Sequence, residues 1–124
     1  MNGANFKFID ALDIATLGTT YAKDTTGIEY ANLMRKQDRV EVQIDWAGLT
    51  GTLNATLLIQ QRGYDDMQWN SLDATEGNML KTLSTASGSV TITLWTWTGS
   101  DLRLLITKNG CTAGIINISL GIRG

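Results

Sequence analysis

Between Val40 and Trp46 the chain reads VEVQIDW, with Val40, Val42, Ile44 and Trp46 on one parity and Glu41, Gln43 and Asp45 on the other. Strict alternation of this kind predicts a strand with one buried and one wet face. AGLTG then reads as a turn. TLNATLLIQQ resumes the period with Leu53, Ala55, Leu57 and Ile59 on one face, so the two runs predict a hairpin. Further on, Val90, Ile92 and Leu94 share one parity before Trp95 and Trp97 take over the other. Such a switch predicts either a strand covered on both faces or a bulge that changes which side points inward. Leu102, Leu104 and Ile106 form the next inward row, opposed by Arg103, Leu105 and Thr107. Asn109-Gly110 suits a tight turn with positive φ, and CTAGIINISLGIR returns with Ile116, Ile118, Leu120 and Ile122 inside.

The remaining segments are less regular. FIDALDIATLG has a helical pattern, but the threonines that follow favour an initial strand. GIEYANLMRKQD admits a strand through Ile28 and Tyr30 or a short helix through Tyr30, Leu33 and Met34. RGYDDMQWNSL reads as an exposed polar turn leading to a short strand at Trp69 and Leu72, and DATEGNMLKTLSTASG as mostly extended. About seven or eight short strands at a spacing of roughly 8 to 12 residues predict an all-β fold. The expected form is a single antiparallel β-sandwich of two sheets, of jelly-roll or immunoglobulin-like size, with at most one short helix. The body spans residues 40–124, preceded by a segment over residues 1–39, and the whole is one domain.

Composition narrows the function. Hydrophobic residues at 43% and charged residues at 18% describe a globular chain. The net charge is −2, and the ten Lys and Arg are scattered, so the concentrated basic surface that nucleic acid requires is not expected. No apolar run approaches the ~20 residues of a membrane helix, and MNGANFKFIDALDIA lacks the pattern of a signal peptide. The expectation is a protein made in a cytoplasm, with no membrane partner. The sequons at Asn54 and Asn117 would matter only in a secretory pathway.

Histidine and proline are both absent, and Cys111 is the single cysteine. Without histidine, the abundant serines and threonines have no conventional base to activate them. Cys111 reads as a small hydrophobe or a surface thiol. Asp65, Asp66, Asp73 and Glu76 surround Trp69, which is the raw material of a paired-carboxylate glycosidase or an oxygen-rich calcium site. Beside Gly63 and Gly77, the same residues are what turns and solubility require. Gly48, Gly51, Gly110 and Gly114 are expected between strands, not at a strand-to-helix phosphate loop. The reading is a chain that is not an enzyme, with no catalytic, cofactor or metal residues.

Trp95 and Trp97 carry the sharper question. Neighbours of one parity on a strand lie about 7 Å apart, which suits either a flat aromatic platform for a sugar or a buried cluster. Core or subunit interface is favoured, since interfaces too are enriched in tryptophan. A carbohydrate-binding or host-adhesion module using Trp69, Trp95 and Trp97 is the alternative.

VQIDWAGLTGTLNATLLIQQRGYDDMQWNSL followed by GSVTITLWTWTGSDLRLLITKNGCTAGIINISL resembles the small β-sandwich proteins of tailed-phage virions, of the capsid-decoration, auxiliary and head-fibre types. The resemblance lies in the acidic-aromatic strand end with G-x-x-G-T-L, the middle turn from Tyr64 to Leu72, and Leu102-Arg103-Leu104 with Thr107-Lys108. It covers about two thirds of the chain. The middle turn departs from the pattern, with Gly63 ahead of its two aspartates. The resemblance implies a virion component bound to the major capsid protein or a neighbouring virion protein, and a homo-oligomer, with a trimer favoured. It also implies that residues 1–39 dock on the shell or exchange with a neighbour. Contact residues expected on this view are Trp95, Trp97, Leu58, Leu105, Trp69 and Tyr64, with Leu58, Leu105 and Trp97 as apolar surface for a neighbour to cover.

Overall fold

The computed structural model describes residues 3–25, 39–62, 68–71, 80–95 and 101–123. These form nine strands and one turn of 3-10 helix. The strands are β1 (Gly3–Asp13), β2 (Thr20–Asp24), β3 (Arg39–Gly51), β4 (Ala55–Arg62), β5 (Asn70–Ser71), β6 (Leu80–Leu83), β7 (Gly88–Trp95), β8 (Asp101–Thr107) and β9 (Cys111–Arg123). One sheet has the order β1-β9-β3-β7. The other runs β2-β8-β4, with β5 and β6 sharing the far edge of β4, and every pairing is antiparallel. Nine strands therefore fill eight ranks in two four-rank layers.

All the links except β4 to β5 and β5 to β6 carry the chain from one sheet to the other. That connectivity is a jelly roll. It explains why inward rows were legible and partners were not. Val40, Val42, Ile44 and Trp46 are buried as expected, as are Leu102, Leu104 and Ile106, and Ile116, Ile118, Leu120 and Ile122. With Ala55, Leu57 and Ile59 they fill one core between the layers.

The predicted hairpin between VEVQIDW and TLNATLLIQQ does not form, because β3 and β4 belong to different sheets. AGLTG is not a turn either. Gly48 (φ 69°) lies inside β3 and Gly51 (φ 82°) is its last residue, and β3 stays paired with β9 through the register breaks between Ala47 and Gly51. The crossing falls at residues 52–54 instead, where Thr52 N–H donates to Gly110 O at 3.2 Å and Asn54 N–H to Thr52 O at 3.0 Å. Gly114 likewise lies within β9 and not between strands, whereas Asn109 (φ 49°) and Gly110 (φ 98°) make the tight turn foreseen. In β7 the register against β3 is unbroken from Gly88 to Trp95, so no bulge lies within that stretch, and Trp97 falls outside the described residues.

β1 and β2, from the segment ahead of Val40, each pair along a sheet edge, β1 on β9 and β2 on β8. A register break between Lys7 and Ile9 lets two consecutive side chains, Phe8 and Ile9, enter the core. Asp13 Oδ1 accepts the Ala15 N–H at 3.0 Å and caps the helical turn that buries Ile14. The two edges are tied together by Lys23, whose ammonium donates to Phe8 O at 2.6 Å and lies 5.1 Å from the Phe8 ring centroid.

Candidate functional site

Residues directly opposite in an antiparallel pair share a face, so register alone sorts the outer surfaces. On the second sheet Thr20 pairs with Thr107, Thr107 with Thr56 and Thr56 with Thr82, a threonine row across four strands. The adjacent row is Ala22, Leu105, Leu58 and Leu80. Beyond it come Asp24, Arg103 and Gln60. The three leucines point away from the core, which is lined by their neighbours Leu57, Ile59, Leu104 and Ile106, yet they are half-buried and adjoin one another. A row of leucines on the wet side of a sheet departs from the alternation of inward apolar and outward polar residues.

Leu58 and Leu105, both singled out from the sequence, are thus brought into direct register. Leu80 and Ala22 were missed. Leu80 lies in the segment of mixed pattern, and Ala22 is too small to register as apolar surface. Trp69 is half-buried just ahead of β5, and the Arg103 guanidinium lies 4.9 Å from its ring centroid. Arg103 Nε and Nη2 also donate to Gln60 Oε1, at 2.9 and 2.5 Å. A cation therefore covers one face of the ring that a sugar platform would present. Trp95 closes β7 with its backbone opposite Arg39. Trp97, Tyr64, Asp65, Asp66, Asp73 and Glu76 lie outside the described residues.

Among the described residues no group of three His, Cys, Asp or Glu side chains is placed to hold a metal ion. Cys111 is buried, its thiol donating to Thr52 O at 3.0 Å, as a small core residue would be.

The outer face of the first sheet has a different character. Its rows are polar throughout the middle of β3: Glu41, Gln43 and Asp45 pair across to Thr93, Thr91 and Ser89 on β7. The Ser89 hydroxyl donates to Asp45 Oδ1, and Gln43 Nε2 donates to the same oxygen at 3.2 Å. The Ser89 bond first and the Gln43 bond second hold the Asp45 carboxyl below its ordinary value of 3.8, against a small opposing effect of burial. A depressed carboxylate contributes stability that is present above 3.8 and lost as the pH falls below it. Ser89→Ala is expected to move the Asp45 titration, followed by carbon-detected NMR, back up toward 3.8; an unchanged midpoint would rule out the serine as the cause. The acid-induced loss of stability should be correspondingly smaller in that variant.

No protein-family model matches the chain, and no curated protein matches it. Among solved structures, the Yersinia pseudotuberculosis-derived mitogen is similar at 10% identity and a TM-score of 0.49, over 99% of this chain and 86% of that one. The VP2 subviral particle of infectious bursal disease virus is similar at 10% identity and a TM-score of 0.33, over 99% of this chain. The match spans 30% of the VP2 chain. The architecture above rests on strand order and register alone.

Proposed function

We propose that the chain is a non-enzymatic structural component of a tailed-phage virion, which decorates or stabilises the capsid or links virion proteins. On this reading it self-associates through the outer face of the second sheet into a trimer, and the trimer docks on the major capsid protein or a neighbouring virion protein. The observation that carries the proposal is the row Ala22–Leu105–Leu58–Leu80. Its flanks favour a second copy over a foreign partner. Threonine methyls and hydroxyls stand on one side, and Asp24 and Arg103 offset each other on the other, so the face has no single-sign field to select an oppositely charged protein. The jelly roll suits this role, but fold alone does not assign it.

Three rows on four strands fall short of the ~800 Å² per partner of a self-sufficient dimer, whereas a closed trimer gives each subunit two such contacts, whose effects multiply.

Sedimentation velocity tests the proposal. The wild-type chain is expected to sediment at three times the 13.5 kDa chain mass. The double variant Leu58→Asp with Leu105→Asp should retain its far-UV dichroism while associating at least about tenfold more weakly, since carboxylates would face one another in the contact. A monomeric wild-type chain, or a double variant that still forms trimers, would overturn the assignment.

A further inference from the structure

We infer that the outer face of the first sheet holds a groove for a neutral, hydroxyl-rich oligosaccharide, on the side of the sandwich opposite the leucine row. The groove follows from register. Ser119 on β9 lies between Lys7 of β1 and Gln43 of β3, and Gly121 lies between Asn5 and Glu41. The floor is therefore built from short residues and both walls from long ones. Walls two strand spacings apart stand about 10 Å from each other, and Asn117 to Gly121 covers about 13 Å of floor. The relief is visible as a depression of about 280 Å³ touching Lys7, Asp45 and Asn117. A smaller one of about 60 Å³ beside Gly121 shares Gln43 and Ser119 with it. These dimensions suit two or three sugar units laid along the strand.

The polar groups on the groove are held in place before any ligand arrives. Asn117 Oδ1 accepts the Ala11 N–H at 2.7 Å, which fixes the amide and leaves Nδ2 as its donor end. Gln43 Nε2 is turned to Asp45, which leaves Oε1 as its acceptor end. Fixed donors and acceptors side by side match the sugar hydroxyl, which is both, and their fixity lowers the ordering cost of binding. A second feature points to the same place. Ala11 takes φ 54°, a left-handed conformation costly for a residue with a Cβ, and it is this backbone that donates to Asn117. Strain of this kind persists where the surroundings demand it, and such sites are commonly functional.

Charge and apolarity select the ligand class. Lys7 is paired with Asp10 at 3.4 Å and Glu41 with Arg39 at 3.4 Å, while the Asp45 carboxylate is bonded to Ser89 and Gln43, so the walls present no excess of positive charge for phosphate. Ile118 is the one large apolar residue touching the two depressions and is itself buried in the core, and the exposed Ile115 stands beyond Asn117 at the end of the floor, so a peptide or lipid finds little apolar anchorage along the groove.

The test uses the full chain, with amide chemical-shift mapping against maltotriose, cellotriose, chitotriose and bacterial O-antigen oligosaccharides. One of these is expected to shift the amides of Gln43, Asn117 and Ser119. Gln43→Ala should weaken that binding at least tenfold, and Ser119→Arg, which fills the half-buried floor, should abolish it. If Ser119→Arg does not fold, the Gln43→Ala titration decides. The leucine double variant should leave single-site binding unchanged, which separates this inference from the trimer. No shift with any sugar, a shift elsewhere on the surface, undiminished binding in the folded variants, or binding of peptides in place of sugars would each overturn it.

Discussion

Gly114→Ala is expected to lower the midpoint of thermal unfolding by about 10 °C, the loss of roughly 3 kcal/mol in a chain of this size. Gly114 sits within β9 at φ 134°, a region that residues with a Cβ rarely occupy. An added methyl would strike the Leu49 side chain and come within 3.0 Å of Leu49 Cα and 3.1 Å of its nitrogen. The side chain has little room to yield, because Leu49 is buried and its N–H is bonded to Ala86 O at 2.9 Å. The backbone strain and the overpacking each cost about 1–3 kcal/mol. Gly18→Ala is the control. Gly18 has no atom within 4 Å of an added Cβ and no left-handed φ, so the change should be neutral or slightly stabilising. Differential scanning calorimetry of both variants decides the matter, and equal midpoints would remove the bulge from the account.

That bulge also marks the limit of what alternation can convey. A period of two says which side chains face inward, and it did so for Val40 to Trp46 and for Leu102 to Ile106 because those runs contain no glycine. At Gly48 and Gly51 a positive φ serves a bulge as well as it serves a turn, so AGLTG carried no information on whether β3 reversed or continued. Pairing is harder still. In a jelly roll the strand that follows in sequence is seldom the strand alongside, and β3 finds its neighbours in β7 and β9, more than forty residues away.

The surfaces obey the same limit. Leu58 and Leu105 were legible as apolar residues on the wet parity of their strands, but their adjacency depends on a register between β4 and β8 that no local pattern encodes. The groove was half visible. Glu41, Gln43 and Asp45 announced a polar face, whereas the contrast between long walls and the short Ser119 and Gly121 floor exists only once β1, β9 and β3 lie side by side.

Trp46→Ala is expected to cost about 3–5 kcal/mol, the range for removing a large aromatic from a core. Trp46 ends the inward row of β3 at 7% exposure, and its indole N–H donates to Thr85 O at 3.0 Å. The ring lies against Gly88, where a Cβ would stand 2.5 Å from Cζ2, so a glycine on β7 makes the space that the indole fills. Truncation leaves a cavity between two strands and a carbonyl without its donor. Trp46→Phe keeps much of the ring and loses only the hydrogen bond and some volume, so it should fall between the wild type and Trp46→Ala, at about 1–2 kcal/mol. Urea unfolding followed by far-UV dichroism gives the order without relying on the fluorescence of the residue removed; equal stability of all three would show that the ring contributes no packing. The phenylalanine variant has a further use. Trp46 alternates along β3 with Gln43 and Asp45, which face the other way, so the core can be weakened while the groove keeps its side chains. Sugar binding that persists in Trp46→Phe and fails in Gln43→Ala would place recognition on the outer face of the first sheet and leave this tryptophan to the core.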